Sequence, residues 1–250
     1  MNGLSRFAHS LLGFTALVLV WEVLAVSHPQ LCPHLPDIAR ALAALLREPA
    51  SRLDFLSTLG RTLLAFLTAV AIGIPCGVAV GAIPRVEVAL RGPLDALRSI
   101  PGFVLLPVAL AVFQKGELAR WATAAFGAML LVLASTAFAI AHVRPLRTEV
   151  ARLYGAGRAF IVFGVIAREV AAPIADACRL ALSQSLILVI ALEVMLGARH
   201  GLGTRVNDSL SAFNLPDMYA LILLIGLLGY GLNLLARMLT TRVTRSSPHL

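Results

Sequence analysis

The sequence predicts an all-α membrane protein with six transmembrane helices, and three observations lead to that prediction. Hydrophobic residues fill 59% of the chain and charged residues only 14%, whereas a soluble domain carries about 25% charge. The mean hydropathy is +0.87. Six apolar runs recur, most of them near the ~20 residues that a helix needs to cross a bilayer. Because lipid cannot hydrogen-bond an open backbone, we interpret these runs as helices and not as strands.

The predicted spans follow one another along the chain. They cover residues 8–26, 58–83, 99–114, 121–142, 180–197 and 218–237. The third is short, and we expect it to take extra length from the segment before Pro101. Arg6 and Ala25-Val26-Ser27 resemble parts of a cleavable signal peptide. The further apolar runs favour a first helix that is retained.

The basic residues predict an orientation. With the N-terminus in the cytoplasm, the inner segments hold 13 of the 21 basic residues and the outer segments hold the other eight. Cytoplasmic loops carry the excess of Lys and Arg, so both termini are predicted to be cytoplasmic. The basic residues are scattered between apolar runs without an aromatic platform, which argues for contact with membrane lipid and against nucleic-acid binding.

Three regions are predicted. Residues 1–57 hold the first transmembrane helix and an outer surface segment, residues 58–240 hold a five-helix core, and residues 241–250 form a flexible tail. In the outer segment, Asp37 can cap a short surface helix, because apolar residues follow it at helical spacing.

The sequence contains no motif of an active site. It lacks a GxxxxGK[ST] phosphate loop, HExxH and GxSxG, so we predict that the chain is not an enzyme and does not hydrolyse ATP itself. His28, Cys32 and His34 resemble a metal cluster. The prolines among them and the lack of a nearby fourth ligand favour a connector, and no metal site is predicted.

Three glycines predict close helix packing in the second span. Gly73, Gly77 and Gly81 are four residues apart and share one helix face. Small residues at this spacing let two membrane helices approach closely. Pro75 lies between them and should bend the helix.

Glu193 lies inside the fifth span, where a carboxylate is costly. It either lines a polar path or lies paired near the outer interface, since Gly197, Arg199 and His200 follow within two turns; the sequence leaves both interpretations open. Other polar residues also lie in or at the ends of spans. The candidate path residues are Ser135, Thr136, Ser183, Gln184 and Glu193.

Residues 143–179 form a cytoplasmic segment that is too long for a simple connector. We expect a helix–glycine–helix element along the inner membrane surface, with a tight turn at Gly155 and Gly157. Arginines give it a charged side. It is either a docking surface for a cytoplasmic subunit or an interfacial helix without a partner. Its apolar stripe comprises Leu153, Phe160, Ile161 and Phe163.

Four segments together resemble one protein family. The cytoplasmic segment contains Glu149-Val150-Ala151 and then Gly155-Ala156. The other three are TLGRTLLAFLTAVAIGIPCGVAVG (58–81), RGPLDALRSIPGFVLLPVALAVFQKGELAR (91–120) and LEVMLGARHGLGTRVND (192–208). They resemble the membrane permeases of bacterial ABC importers, of the nitrate/sulfonate/taurine type, whose cytoplasmic EAA motif is Glu-Ala-Ala followed by Gly. The resemblance covers most of the chain from Leu35 onward.

This resemblance implies a type I ABC importer permease in the inner membrane. It implies a second permease subunit, two ATPase subunits that hold ATP and Mg, and an extracytoplasmic substrate-binding protein, with no cofactor on this chain. By resemblance, Glu149, Ala151, Gly155 and Ala156 form the interface with the ATPase. Glu149 can form a charge-assisted bond to a partner arginine, and Gly155 lets the backbone turn closely.

The chain also departs from the family pattern. Val150 replaces the first alanine of the motif, and Ala167-Arg168 stands where the family has a hydrophobic residue and a proline. We therefore hypothesise a divergent permease or the weaker-coupled half of a heterodimer. Recovery of two differently tagged copies in one complex would exclude an obligate heterodimer.

Two other functions remain open from the residues. An ion-driven secondary transporter is disfavoured by the scarcity of buried charge and by the absence of a detectable repeat. A membrane scaffold could use the cytoplasmic segment to recruit a soluble protein. For the importer, the resemblance implies a small anion such as nitrate, a sulfonate or a taurine-like molecule.

Overall fold

The computed structural model describes residues 3–143 and 145–244, and in these ranges every regular element is a helix. The predicted all-α class is therefore confirmed. A 3-10 turn covers Gly102–Leu105 and a π-helical turn covers Ile161–Ile166. The α-helices are α1 (Gly3–Ser27), α2 (Leu35–Arg47), α3 (Pro49–Gly81), α4 (Pro84–Ser99), α5 (Leu106–Phe113), α6 (Gly116–Ala141), α7 (Pro145–Leu153), α8 (Arg158–Phe160), α9 (Ala167–Leu196), α10 (Leu202–Ser211) and α11 (Leu215–Thr244).

Four helices in the described ranges are long and apolar enough to cross a membrane. They are α3, α6, the continuous helix Arg158–Leu196 and α11. The pair Pro84–Ser99 and Gly102–Phe113 passes the same test but is bent by 91°, which makes five spans if the pair counts as one. The first predicted span corresponds to the shorter apolar stretch Leu11–Ser27 in α1. The predicted number of six is thus not reached by length and composition.

Two helices extend beyond the spans that the apolar runs predict. α3 begins at Pro49, nine residues before the predicted start at 58, because its polar first turns bond to the chain around Arg205 and remain helical. The fifth span begins at Arg158 and not near 180. The polar residues Arg168 and Glu169 therefore lie on a helical extension, and the segment 143–179 is more helical than expected.

α3 and α6 pack closely where α3 carries its glycines. A Cβ added to Gly73 would lie 2.9 Å from Val132 Cβ, and one added to Gly77 would lie 2.6 Å from the carbonyl oxygen of Leu133. Gly81 lies against Ala137 in the same way. The backbone of α3 therefore lies against α6 with no room for side chains, which is how small residues hold membrane helices together.

The bent pair α4–α5 follows α6 along its length. Glu87 near the start of α4 lies in a cavity beside Phe138, close to the end of α6. At the bend, Gly102 and Gly127 approach each other, since a Cβ added to Gly127 would lie 3.8 Å from Gly102 Cα. α5 then packs Leu106 in the core beside the first half of α6. α4 thus runs from one end of α6 to its middle.

Apolar clusters hold the remaining helices. Leu188, Val189 and Leu192 of α9 are buried against alanines of α3 and α6. The predicted surface helix is α2, whose Ile38 and Leu45 pack on α11. α1 meets this group through Trp21, whose ring lies edge-on to Tyr219 at 5.2 Å and whose Nε1–H donates to the carbonyl oxygen of Pro33 at 3.1 Å.

Candidate functional site

The segment between α7 and α8 forms a projecting turn, which we call the knob (residues 149–158). The turn that follows α7 contains a left-handed residue, Gly155, with φ of +76°. The Gly155 N–H donates to the carbonyl oxygen of Arg152 at 2.9 Å, and the Ala156 N–H donates to that of Ala151 at 3.0 Å. These paired bonds are the Schellman arrangement, which favours glycine at this position. The helix–glycine–helix element expected from the sequence is present.

The tip of the knob is apolar and open to its surroundings. Leu153 is 86% exposed and Tyr154 is 88% exposed. Glu149 is also exposed, on the α7 side of the tip. A contiguous apolar patch with polar neighbours marks a surface that contacts a protein or a membrane. The knob therefore offers two hydrophobic groups and a carboxylate within about two helical turns.

The predicted interface residues lie together in this knob. Glu149 and Gly155 are exposed, and Ala151 and Ala156 are partly buried beneath the tip. Of the expected apolar stripe, Phe160 and Phe163 are exposed together with Leu153, whereas Ile161 is buried.

The chain after the knob continues as one helix. The π-helical turn Ile161–Ile166 leads directly into α9, and Ala167-Arg168 lies within this continuous helix. Where the family pattern has a proline, this chain therefore has an uninterrupted backbone preceded by a π turn. π turns occur frequently at functional sites.

Glu193 is held in an ion cluster at the other end of α9. It is 0% exposed. Its carboxylate accepts hydrogen bonds from Thr58 Oγ1 at 2.9 Å, from Arg61 at 2.7 Å and from the Gly203 N–H at 3.0 Å. Arg61 also donates to Glu117 of α6 at 2.9 Å. Burial of this carboxylate is tolerated because each oxygen is bonded.

The same face of α3 makes a second group of bonds to the loop before α10. Asp54 accepts from the Gly201 N–H at 3.0 Å and from Arg205 at 3.1 Å. Arg205 also bonds Ser51 at 2.8 Å and pairs with Glu48. Together with the bonds of Glu193, these contacts form a group that we name the outer cluster, after its side in the predicted orientation (Glu48, Ser51, Asp54, Thr58, Arg61, Glu117, Glu193, Gly201, Gly203 and Arg205).

Two glycines give the outer cluster its compactness. A Cβ added to Gly201 would lie 2.6 Å from the Glu193 carboxyl carbon, and one added to Gly203 would lie 2.8 Å from Glu193 Cβ. The GLG turn that follows α9 therefore wraps the carboxylate with backbone.

A cavity of about 550 Å³ opens between α4, α6 and α9, and we call it the inner cavity after its side in the predicted orientation. Charged residues of α4 recur at helical spacing along its wall. Glu87 and Arg91 are bonded to each other at 2.7 Å. The charged residues of α4 and α9 that line it are Glu87, Arg91, Asp95, Arg98 and Asp176. This charged face of α4 was not predicted from the sequence. The spacing of its charged residues (i, i+4, i+8, i+11) is the pattern that could have indicated it.

The candidate path residues lie in different surroundings. Ser135 lines the inner cavity, and Gln184 lines a smaller cavity beside the bend of α4–α5. Thr136 is 0% exposed and packs on Gly77. Ser183 is partly buried. Glu193 lies in the outer cluster and does not line either of these two cavities.

Comparison with known proteins finds several permeases. The chain is 25% identical over 218 residues to a putative ABC transporter permease of Methanocaldococcus jannaschii, covering 85% of this chain and 82% of that protein. It is 28% identical to the taurine transport system permease TauC of Escherichia coli, covering 75% and 68%. It is 22% identical to the nitrate import permease NrtB of Leptolyngbya laminosa, covering 93% and 86%.

The fold has a solved counterpart. The structure superposes on a chain of the MetNI methionine ABC transporter in an inward-facing conformation, with a TM-score of 0.67, 19% identity and coverage of 79% of this chain and 99% of that chain. The model of the family described as "binding-protein-dependent transport system inner membrane component" matches residues 69–246. The chain therefore belongs to this family of inner-membrane permease subunits of ABC transporters.

Proposed function

We propose that this chain is the membrane-spanning subunit of an ABC importer for a small anion, and that its knob couples it to a separate ATPase subunit. The exposed knob carries this proposal. A helix end with two apolar side chains more than 80% exposed, beside a carboxylate, is costly for a surface without a partner. A groove on a soluble ATPase would bury Leu153 and Tyr154 and could pair Glu149 with an arginine.

The assembly follows from the family and from the polarity of the chain. Under the orientation that the basic residues predict, the knob and both termini lie on the cytoplasmic side and the outer cluster lies on the other side. We propose two permease subunits, two ATPase subunits that bind ATP and Mg, and a substrate-binding protein at the outer face. No cofactor is assigned to this chain, and its apolar helix faces contact membrane lipid.

The proposed substrate class rests on the relatives. One similar permease is named for taurine transport and another for nitrate import. Nitrate is an anion, and taurine carries an anionic sulfonate group. We therefore propose an oxyanion or an organic sulfonate as the substrate. Specificity among these ligands would rest largely with the binding protein.

The Gly155→Val variant tests the coupling. Valine disfavours φ of +76°, so the Schellman turn would be distorted without any steric overlap, since a Cβ at Gly155 meets nothing within 4 Å. Gly157→Val is the matched control, because Gly157 has φ of −68° and equal space. We expect Gly155→Val to reduce ATP-dependent uptake of taurine or nitrate in proteoliposomes by about tenfold or more, with a smaller effect of Gly157→Val.

Three outcomes separate the candidate functions. Loss of ATP-dependent uptake in Gly155→Val and in Glu149→Lys, together with loss of ATPase co-elution, supports an importer coupled through the knob. Uptake driven by an ion gradient and unchanged by these variants would indicate a secondary transporter. A chain that binds a soluble protein through the knob but transports neither probe would indicate a scaffold.

A further inference from the structure

The bend between α4 and α5 encloses a second cavity of about 220 Å³, which we call the middle cavity. Its α6 wall consists of Phe126, Gly127, Leu130 and Leu131, which lie around the centre of the 26-residue helix Gly116–Ala141. Because α6 is long enough to span a bilayer, its centre lies near the middle of the hydrocarbon core. A broken helix at this depth is tolerated where it lines a cavity, and in transporters such breaks often form binding sites.

The walls of the middle cavity are apolar apart from two side chains. Among the described residues that line it, Arg98 is the one charged group and Gln184 is the one amide. A charged side chain at this depth is expensive and is expected to serve a path or a ligand. The middle cavity therefore combines a cation and a neutral hydrogen-bonding group within an otherwise hydrophobic wall.

Arg98 is weakly engaged by the protein itself. Its nearest acidic partner in the described part of the chain is Asp95 at 3.7 Å, which is beyond hydrogen-bond distance, and 40% of its side chain is exposed. Its position in the last turn of α4 suits a cation through the helix dipole, but this effect leaves the guanidinium donors unused. By contrast, Arg91 on the same helix is bonded to Glu87 at 2.7 Å and 3.0 Å.

Arg98 also lines the inner cavity, so one basic residue borders both spaces. We propose that the middle cavity is an anion-binding site of the transport path, in which Arg98 and Gln184 contact the oxyanion group of the solute. This inference rests on the proposed importer function and adds the residues that contact the solute.

The charged groups around Arg98 favour a site that binds an anion and then releases it. The planar guanidinium can hold a nitrate, carboxylate or sulfonate group with two parallel hydrogen bonds, and the Gln184 amide can donate a further one. Asp95 competes weakly for Arg98. The inner cavity beyond has three acidic residues and two basic ones; Arg91 is already bonded to Glu87 at 2.7 Å, so Asp95 and Asp176 leave the wall with an acidic excess. An anion that leaves the middle cavity therefore meets walls that do not retain it, which favours release towards the cytoplasm.

Binding is tested first, without reliance on transport. The purified complex of the chain and its ATPase is treated with phenylglyoxal, which modifies arginine, and modification at each arginine is followed by mass spectrometry. Nitrate or taurine is expected to slow modification of Arg98 by about threefold or more, with no such effect of urea, a neutral planar molecule. Arg85 of α4 lines neither cavity and is the internal control. Equal modification of Arg98 with and without both probes would overturn the proposal.

Transport by variants provides the second test. Arg98→Gln is expected to reduce uptake of the transported anion by about tenfold or more, while Arg98→Lys keeps a larger part of it and Arg85→Gln is close to the unchanged chain. ATP hydrolysis stimulated by the loaded binding protein should persist in Arg98→Gln. Parallel loss of uptake and stimulated hydrolysis, or uptake unaffected by Arg98→Gln, would refute the site while leaving the knob variants to decide the importer function.

Discussion

The Glu193→Ala variant is expected to lose about 3 kcal/mol of stability, because it removes the acceptor at the centre of the outer cluster. Thr58 Oγ1 and the Gly203 N–H would lose a partner at 2.9 Å and 3.0 Å in a site that is fully enclosed. Arg61 would keep its bonds to Glu117 and to the His200 carbonyl oxygen, which limits the loss. The expected fall in Tm is about 6–12 °C for a chain of this size.

Thermal unfolding of the purified chain in detergent measures this effect, and Glu117 provides the matched control. Both carboxylates accept a hydrogen bond from Arg61, but the Glu117 side chain is 57% exposed. Removing an exposed partner of an ion pair costs about 1 kcal/mol or less, so Glu117→Ala should shift the Tm by only a few degrees. Equal shifts for the two variants would show that burial of Glu193 does not govern the cluster.

Glu193→Gln distinguishes the two interpretations that the sequence left open. The amide keeps the shape of the side chain but turns an NH2 group towards Thr58, Arg61 or the Gly203 N–H, all of which are donors in the structure. A structural role therefore predicts a clear loss of stability. A direct role in the path predicts a stable chain whose uptake is selectively lost.

The sequence predicts the helices well and their ends poorly, for a physical reason that α3 illustrates. An apolar run of sufficient length forces a helix in lipid, so the second span is readable from local composition. The extension back to Pro49 depends on Asp54 and Ser51 bonding to Arg205. No local pattern reveals a partner that lies more than 150 residues away. The same limit applies to Glu193. The sequence shows that a carboxylate inside a span is energetically costly, but it does not show that Thr58 and Arg61 are its partners.

The candidate sites divide in the same way. The knob can be predicted from sequence, because a glycine in a charged segment between two spans already indicates a turn, and Gly155 adopts the left-handed conformation that glycine adopts at no steric cost. The middle cavity is not visible, because it depends on the 91° bend and on the approach of Gly102 to Gly127. Arg98 can be assigned to the middle cavity only because the structure shows that α4 ends at the centre of α6.

The two ends of the helical core differ in how many polar contacts join the helices. At the outer end, the outer cluster joins α3, α6, α9 and α10 through charged hydrogen bonds. At the other end, α4, α6 and α9 are separated by the inner cavity. Movement transmitted from the knob would therefore change the spacing of α4, α6 and α9 around the inner cavity more readily than that of α3 and α6, whose backbones are in contact at Gly77 and Gly81.

The close approach of α3 to α6 supports the second large prediction. Gly77→Leu is expected to prevent recovery of a folded, monodisperse chain, and Gly77→Ala is expected to cost about 1–3 kcal/mol. A Cβ at Gly77 would lie 2.6 Å from both the Leu133 carbonyl oxygen and Thr136 Cβ. The first of these is backbone of a packed helix and cannot rotate away, so the two helices would have to separate. Size-exclusion profiles and thermal unfolding in detergent measure both effects.

Gly60 is the control, because it lies on the same helix and its substitution by alanine should change the stability in the opposite direction. A Cβ at Gly60 meets nothing within 4 Å, and this residue is exposed. Alanine there gains helix propensity, worth about 0.5–1 kcal/mol, and loses no packing, so Gly60→Ala should raise the Tm slightly. If Gly77→Ala were also stabilising, α3 and α6 would have to be further apart than the structure places them, since helix propensity alone would then determine the effect at both positions.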